Sequence, residues 1–220
     1  MTVTRLQTSL ILFPILLSCS QPVRGEQPEG GSKQAIEAPS PDGKFAFRYT
    51  KDSKSNPDSD SESDLGKQTY DLIEKASGKV LTSVAESDPD LGPSARFDMT
   101  VLWRPDSKAF ALTAFLWKRG TSLSVFRREG STFRETEVPE LVAEIPEKVK
   151  RGKNFPHVAG LNSQSAKRWQ KDGSLVVEIE TMIDGEAGSI TATRTVVLGF
   201  DRSGKARILK STTKFAVEKQ

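Results

Sequence analysis

Ser40-Pro41-Asp42-Gly43-Lys44 leads directly into Phe45-Ala46-Phe47-Arg48-Tyr49, and the arrangement returns twice. Arg104-Pro105-Asp106-Ser107-Lys108 precedes Ala109-Phe110-Ala111-Leu112-Thr113-Ala114-Phe115. Gln170-Lys171-Asp172-Gly173-Ser174 precedes Leu175-Val176-Val177-Glu178-Ile179-Glu180-Thr181. The three aspartates stand 64 and 66 residues apart. An aspartate in a turn accepts bonds from nearby backbone amides, and a glycine beside it takes the positive φ that other residues avoid. The residues after each turn are β-branched, aromatic or alternating, the mark of a strand. Trp103 and Trp169 lie three residues ahead of the second and third aspartates, where the first copy has Pro39.

Working outward, each copy offers further strands. Gln68 to Ile73 and Lys79 to Val84 flank the turn Ala76-Ser77-Gly78; Ser122 to Phe126 and Thr132 to Val138 flank Glu129-Gly130-Ser131; Ser189 to Phe200 and Ala206 to Val217 flank the loop Asp201 to Lys205. Arg96 to Trp103 supplies a strand ahead of the second turn. The predicted fold is all-β, with antiparallel meanders in about three units, either propeller-like or an open or sandwich sheet. The Pro-Asp-Gly-Lys turn with an apolar strand after it resembles the repeat of TolB-type β-propellers. The resemblance spans residues 38–217 and implies structural rather than catalytic Asp-Gly turns. Propellers carry about four to eight blades, so three units fall short of the usual ring. One short helix is expected near 139–151, where Leu141, Val142, Ile145 and Val149 keep helical spacing, Pro146 limits it to two short turns or kinks it, and Gly152 suits the end.

The N-terminus reads as an address. Arg5 precedes the apolar run Leu10 to Leu17, which is too short for a bilayer span of about 20 residues and suits a signal peptide. Leu16-Leu17-Ser18-Cys19 resembles a bacterial lipobox, which implies lipidation at Cys19; rival cleavage sites at Ser18-Cys19-Ser20 and Val23-Arg24-Gly25 imply a soluble secreted protein instead. The expected organisation is a signal peptide over 1–25, a Pro/Gly/Ser-bearing tether over 26–37 and one β-rich domain over 38–220. The expected location is the periplasm or cell envelope, anchored to the membrane through lipid.

The chain has 220 residues and a formal charge of +3, with one cysteine and one histidine. Those two counts exclude an internal disulfide, a cysteine zinc site and a multi-histidine centre. Residues 26–98 hold fifteen acids and nine bases (net −6), whereas residues 99–220 hold fourteen acids and twenty-one bases (net +7). Asp58, Asp60, Glu62 and Asp64 alternate but miss the glycine and closing glutamate of a calcium loop. No metal or cofactor is expected. His157 has no triad partners nearby in sequence, and Glu178 and Glu180 share a strand face like any half-exposed pair. No catalytic residue is assigned. The basic half points to a binding surface at Arg168, Trp169 and Lys171, with an envelope protein or an anionic polymer as partner and no nucleic acid. The reading is a non-enzymatic envelope-interaction module. Its rivals are a hydrolase of envelope polymers working through an unidentified carboxylate pair and a structural lipoprotein subunit of a larger complex.

Overall fold

The computed structural model describes residues 33–51, 68–86, 99–116 and 120–219. The Cys19 region and the acid-rich stretch at 52–67 lie outside the described residues. Among the described residues, twelve strands form three four-stranded antiparallel sheets, each in simple meander order. Sheet 1 holds β1 (Lys33–Glu37), β2 (Phe45–Lys51), β3 (Gln68–Glu74) and β4 (Val80–Glu86). Sheet 2 holds β5 (Met99–Trp103), β6 (Ala109–Leu116), β7 (Gly120–Glu129) and β8 (Thr132–Glu135). Sheet 3 holds the longer β9 (His157–Trp169), β10 (Leu175–Gly185), β11 (Gly188–Phe200) and β12 (Ala206–Glu218). The three-unit all-β expectation is met in its open form, with sheet 2 packed between sheets 1 and 3.

The Asp turns build one end of this stack. Ser40 N bonds Phe45 O, Arg104 N bonds Ala109 O and Gln170 N bonds Ser174 O. The third turn is therefore one residue shorter. Trp103 pairs across with Phe110, whereas Trp169 pairs with Leu175. Because side chains alternate between sheet faces, this single deletion decides which residues point inward. Phe110 and Leu112 correspond to Leu175 and Val177, not to the residues that equal spacing from the aspartates would choose.

Each unit presents its second strand to the next sheet, and the three presented faces differ. Sheet 1 offers Phe45, Phe47 and Tyr49, and sheet 2 offers Ala109, Ala111 and Thr113. The matching positions of sheet 3 are Ser174, Val176 and Glu178. The first interface is aromatic: Phe47 meets Phe110 edge-on at 5.1 Å, and Phe110 stacks on Phe126 at 4.8 Å. The second is aliphatic, joining Ala111 and Val125 to Leu175, Val177, Ile179, Val196 and Leu198. Two indoles fasten the layers. Trp103 Nε1 donates to Ala38 O at 2.9 Å, and Trp169 Nε1 donates to Leu102 O at 2.9 Å. Pro39 has no such donor, which fits its place in the first unit.

The short helix expected near 139–151 is present as α1 (Glu147–Lys150), confined to the residues after Pro146. Ahead of it Leu141 and Ala143 are buried while Glu144 is exposed, an extended rather than helical alternation. Pro146 disfavours helical conformation in the residue before it and sits at φ −64°, ψ 149°. The backbone finds other partners: Val142 O accepts from Arg194 Nη1 at 2.7 Å, and Ala143 N donates to Asn162 Oδ1 at 2.9 Å. One expectation is corrected, the extent of the tether. Lys33–Glu37 pairs with β2 as an edge strand, so the folded body begins inside the 26–37 segment.

Candidate functional site

At the Asp-turn end, four carboxylates serve as turn anchors. Asp42 Oδ1 accepts from Lys44 N at 3.1 Å, Asp106 Oδ1 from Lys108 N at 3.0 Å, Asp172 Oδ1 from Ser174 N at 3.0 Å and Asp201 Oδ1 from Lys205 N at 3.1 Å. All four are held below the ordinary aspartate value. For Asp42 and Asp106 desolvation pushes upward but is outweighed, by Ser40, Lys44 and Ser107 for Asp42 and by Arg104 and Lys108 for Asp106. For Asp172 the Ser174 hydroxyl leads, and for Asp201 the Ser203 hydroxyl. Hydrogen bonds to a carboxylate favour its charged form.

Ser107 departs from the glycines at its equivalent positions. It sits at φ +58°, beside +72° at Gly43 and +82° at Gly173. A left-handed non-glycine residue costs about 1–2 kcal/mol. In return the buried Ser107 Oγ accepts from Asp42 N at 3.0 Å, tying the second turn to the first.

The residues singled out for binding do not share one surface. Trp169 faces sheet 2, with Phe200 at 5.7 Å and the Arg104 guanidinium over its ring at 5.9 Å. Arg168, its neighbour on β9, pairs with Val176 on the opposite face and is exposed. Lys171 is exposed in the turn. Sequence adjacency brought these three together, and strand alternation separates the indole from the two cations.

A groove of about 360 Å³ at the same end is lined by Arg127, Arg128, Glu137, Arg202 and Lys205, among others. Most of its cations are engaged. Arg127 donates to Asp201 O at 3.1 Å, Arg128 lies over Phe45 at 5.2 Å and Lys205 pairs with Glu137 at 3.0 Å.

The opposite end carries a second groove of about 410 Å³. Register places His157, Asp184, Ser189 and Glu218 in one row across β9, β10, β11 and β12. Nothing in the separate sequence positions signals this row, because it depends on the pairing of four strands. Asp184 Oδ1 is buried without a hydrogen-bond partner, and Ser189 Oγ reaches Glu218 Oε2 at 3.5 Å. Serine catalysis needs an imidazole beside the hydroxyl, and here Asp184 stands between His157 and Ser189. Among the described residues no three acidic, histidine or cysteine side chains are grouped to hold a metal. Glu178 and Glu180 do share a face, but Glu178 is paired with Lys167 at 2.8 Å while Glu180 is exposed. In comparisons with known proteins, no family model, no curated protein and no solved structure matches this chain.

Proposed function

We propose that this chain is an exported, lipid-tethered binding module of the cell envelope, without an enzymatic role. The observation that carries this reading is the direction in which the chain joins the fold. β1 begins at Lys33 at the end remote from the Asp turns and runs toward Ser40. A chain that joins the body at Lys33 enters at the end opposite the turns, which favours an arrangement with the turn end facing away from the membrane. The turn end carries exposed Lys44, Lys108, Lys171 and Arg202, a chemistry suited to an anionic polymer or an acidic protein surface. The turn-and-strand repeat also supports kinship with TolB-type repeats.

The test has two arms. Cys19→Ala is expected to move the protein from the membrane fraction to the soluble fraction; unchanged fractionation removes the tether. The Lys171→Glu/Arg202→Glu variant is expected to recover less partner than the wild type from solubilised envelope. Equal recovery removes the turn end as the binding surface.

A further inference from the structure

Among the described residues β12 forms an unpaired edge of sheet 3. β12 spans thirteen residues, and from Leu209 to its end every residue is exposed. An edge strand presents unpaired N–H and C=O groups, and proteins deter chance pairing there with charge. Arg207, Lys210 and Lys214 supply that deterrent over most of β12. The segment Phe215-Ala216-Val217 has none, and Phe215 and Val217 are 38% and 53% exposed.

The sequence around this segment is self-complementary. Antiparallel pairing of two copies about Ala216 sets Lys214 of each against Glu218 of the other and Phe215 of each against Val217 of the other. Ala216 then faces its own counterpart. Opposite charges and apolar pairs directly across a ladder are favourable, and like charges are not. Other registers lose this match. Centring on Thr212 opposes Lys210 to Lys214, centring on Lys214 opposes it to itself, and centring on Phe215 leaves Val217 against Thr213.

The inner face supports the same register. Ile183, Ile190 and Val217 form one row, and Ala192 pairs with Phe215 in the next. Pairing about Ala216 joins Val217 of one copy to Phe215 and Ala192 of the other. A continuous apolar row then crosses the junction. Two-fold symmetry uses the same patch twice, so one set of residues satisfies both sides.

We infer that two copies of this chain associate through β12, pairing antiparallel about Ala216 to make one continuous eight-stranded sheet. The contact is independent of whether Cys19 is lipidated. About seven residues a side, from Thr213 to Lys219, engage, so the association is reversible and concentration-dependent.

The test uses the full chain with Cys19→Ser, so that an introduced cysteine is the only thiol. Residues facing each other in an antiparallel ladder have Cα atoms about 4.5–5.5 Å apart, within disulfide reach. Ala216→Cys is expected to give a disulfide dimer under mild oxidation much faster than Thr212→Cys, which lies on the same face and is also exposed. Equal rates at the two positions overturn the register. In sedimentation equilibrium, Lys214→Glu is expected to weaken association on the order of tenfold, and Lys214→Glu/Glu218→Lys to restore it. Failure of the double variant to restore association, or a wild-type chain that stays monomeric as concentration rises, overturns the proposal. Circular dichroism of each variant separates a lost interface from a lost fold.

Discussion

The two interfaces of the stack do the same work with different side chains. Sheets 1 and 2 meet through rings, with Phe45, Phe47, Phe110 and Phe133 each 5.0–6.3 Å from the Trp103 ring, centroid to centroid. Sheets 2 and 3 meet mainly through branched aliphatics, with Trp169 and Phe200 at the turn end. Sheet 1 has strands of five to seven residues and little area to bury, so large rings supply contact where length does not. Sheet 3 has strands of eleven to thirteen residues, and its side chains spread the contact along them. The layers share a rule, the indole reaching back to the previous unit, and diverge in the filling.

The largest expected effect tests the aromatic side. Phe110→Ala empties a fully buried site and is expected to cost about 3–5 kcal/mol in urea unfolding. If the interfaces are energetically separate, unfolding monitored at sheet 1 shifts to lower urea while Trp169 fluorescence shifts less. Coincident transitions make the stack one cooperative unit. On the aliphatic side, Ile179→Ala is expected to cost about 2–4 kcal/mol and to move the Trp169 signal first.

The shared rule gives an intermediate effect. Trp103→Phe and Trp169→Phe each leave a carbonyl, Ala38 O or Leu102 O, without its indole donor. Each is expected to cost about 1–3 kcal/mol, and similar values mark the bonds as equivalent. Ser107 gives a smaller one. Ser107→Ala keeps the positive φ and loses the bond to Asp42 N, so it is expected to lower stability by about 1 kcal/mol. Ser107→Gly relieves the backbone cost and is expected to lie closer to wild type.

Acid titration gives the smallest effect. The folded turns keep Asp42, Asp106, Asp172 and Asp201 ionised below the ordinary value of 3.8. The stability they contribute is fully present above that pH and is lost as pH falls beneath it. Urea midpoints measured at descending pH are expected to drop below about pH 4. Asp106→Asn is expected to make that drop shallower, and an unchanged slope denies the turn a part in it.

Much of the architecture was legible because turns are local. Asp42, Asp106 and Asp172 announced three units, and residue type alone marks the strands after them. The hidden part depended on pairing. One missing residue in the third turn moves Leu175 and Val177 to the inner face, a consequence that the 66-residue spacing conceals. The helical spacing of Leu141, Ile145 and Val149 was real in sequence, yet Pro146 and the bonds to Asn162 and Arg194 hold that segment extended. The candidate site was the least legible part. Arg168 and Trp169 are neighbours along the chain and back to back in space, whereas His157, Asp184, Ser189 and Glu218 are scattered in sequence and aligned across the sheet.

The faces that the units present to one another also bear on how such a chain lengthens over evolutionary time. Phe45, Phe47 and Tyr49 give way to Ala109, Ala111 and Thr113, and these to Ser174, Val176 and Glu178. A unit appended after the third meets Glu178, Glu180 and Thr195 over most of that face, with only Val176 and Val197 as apolar residues at its turn end. A unit inserted between existing ones finds a matched wall on each side. Growth by gene duplication is therefore better served in the interior of the array than on the polar face of sheet 3.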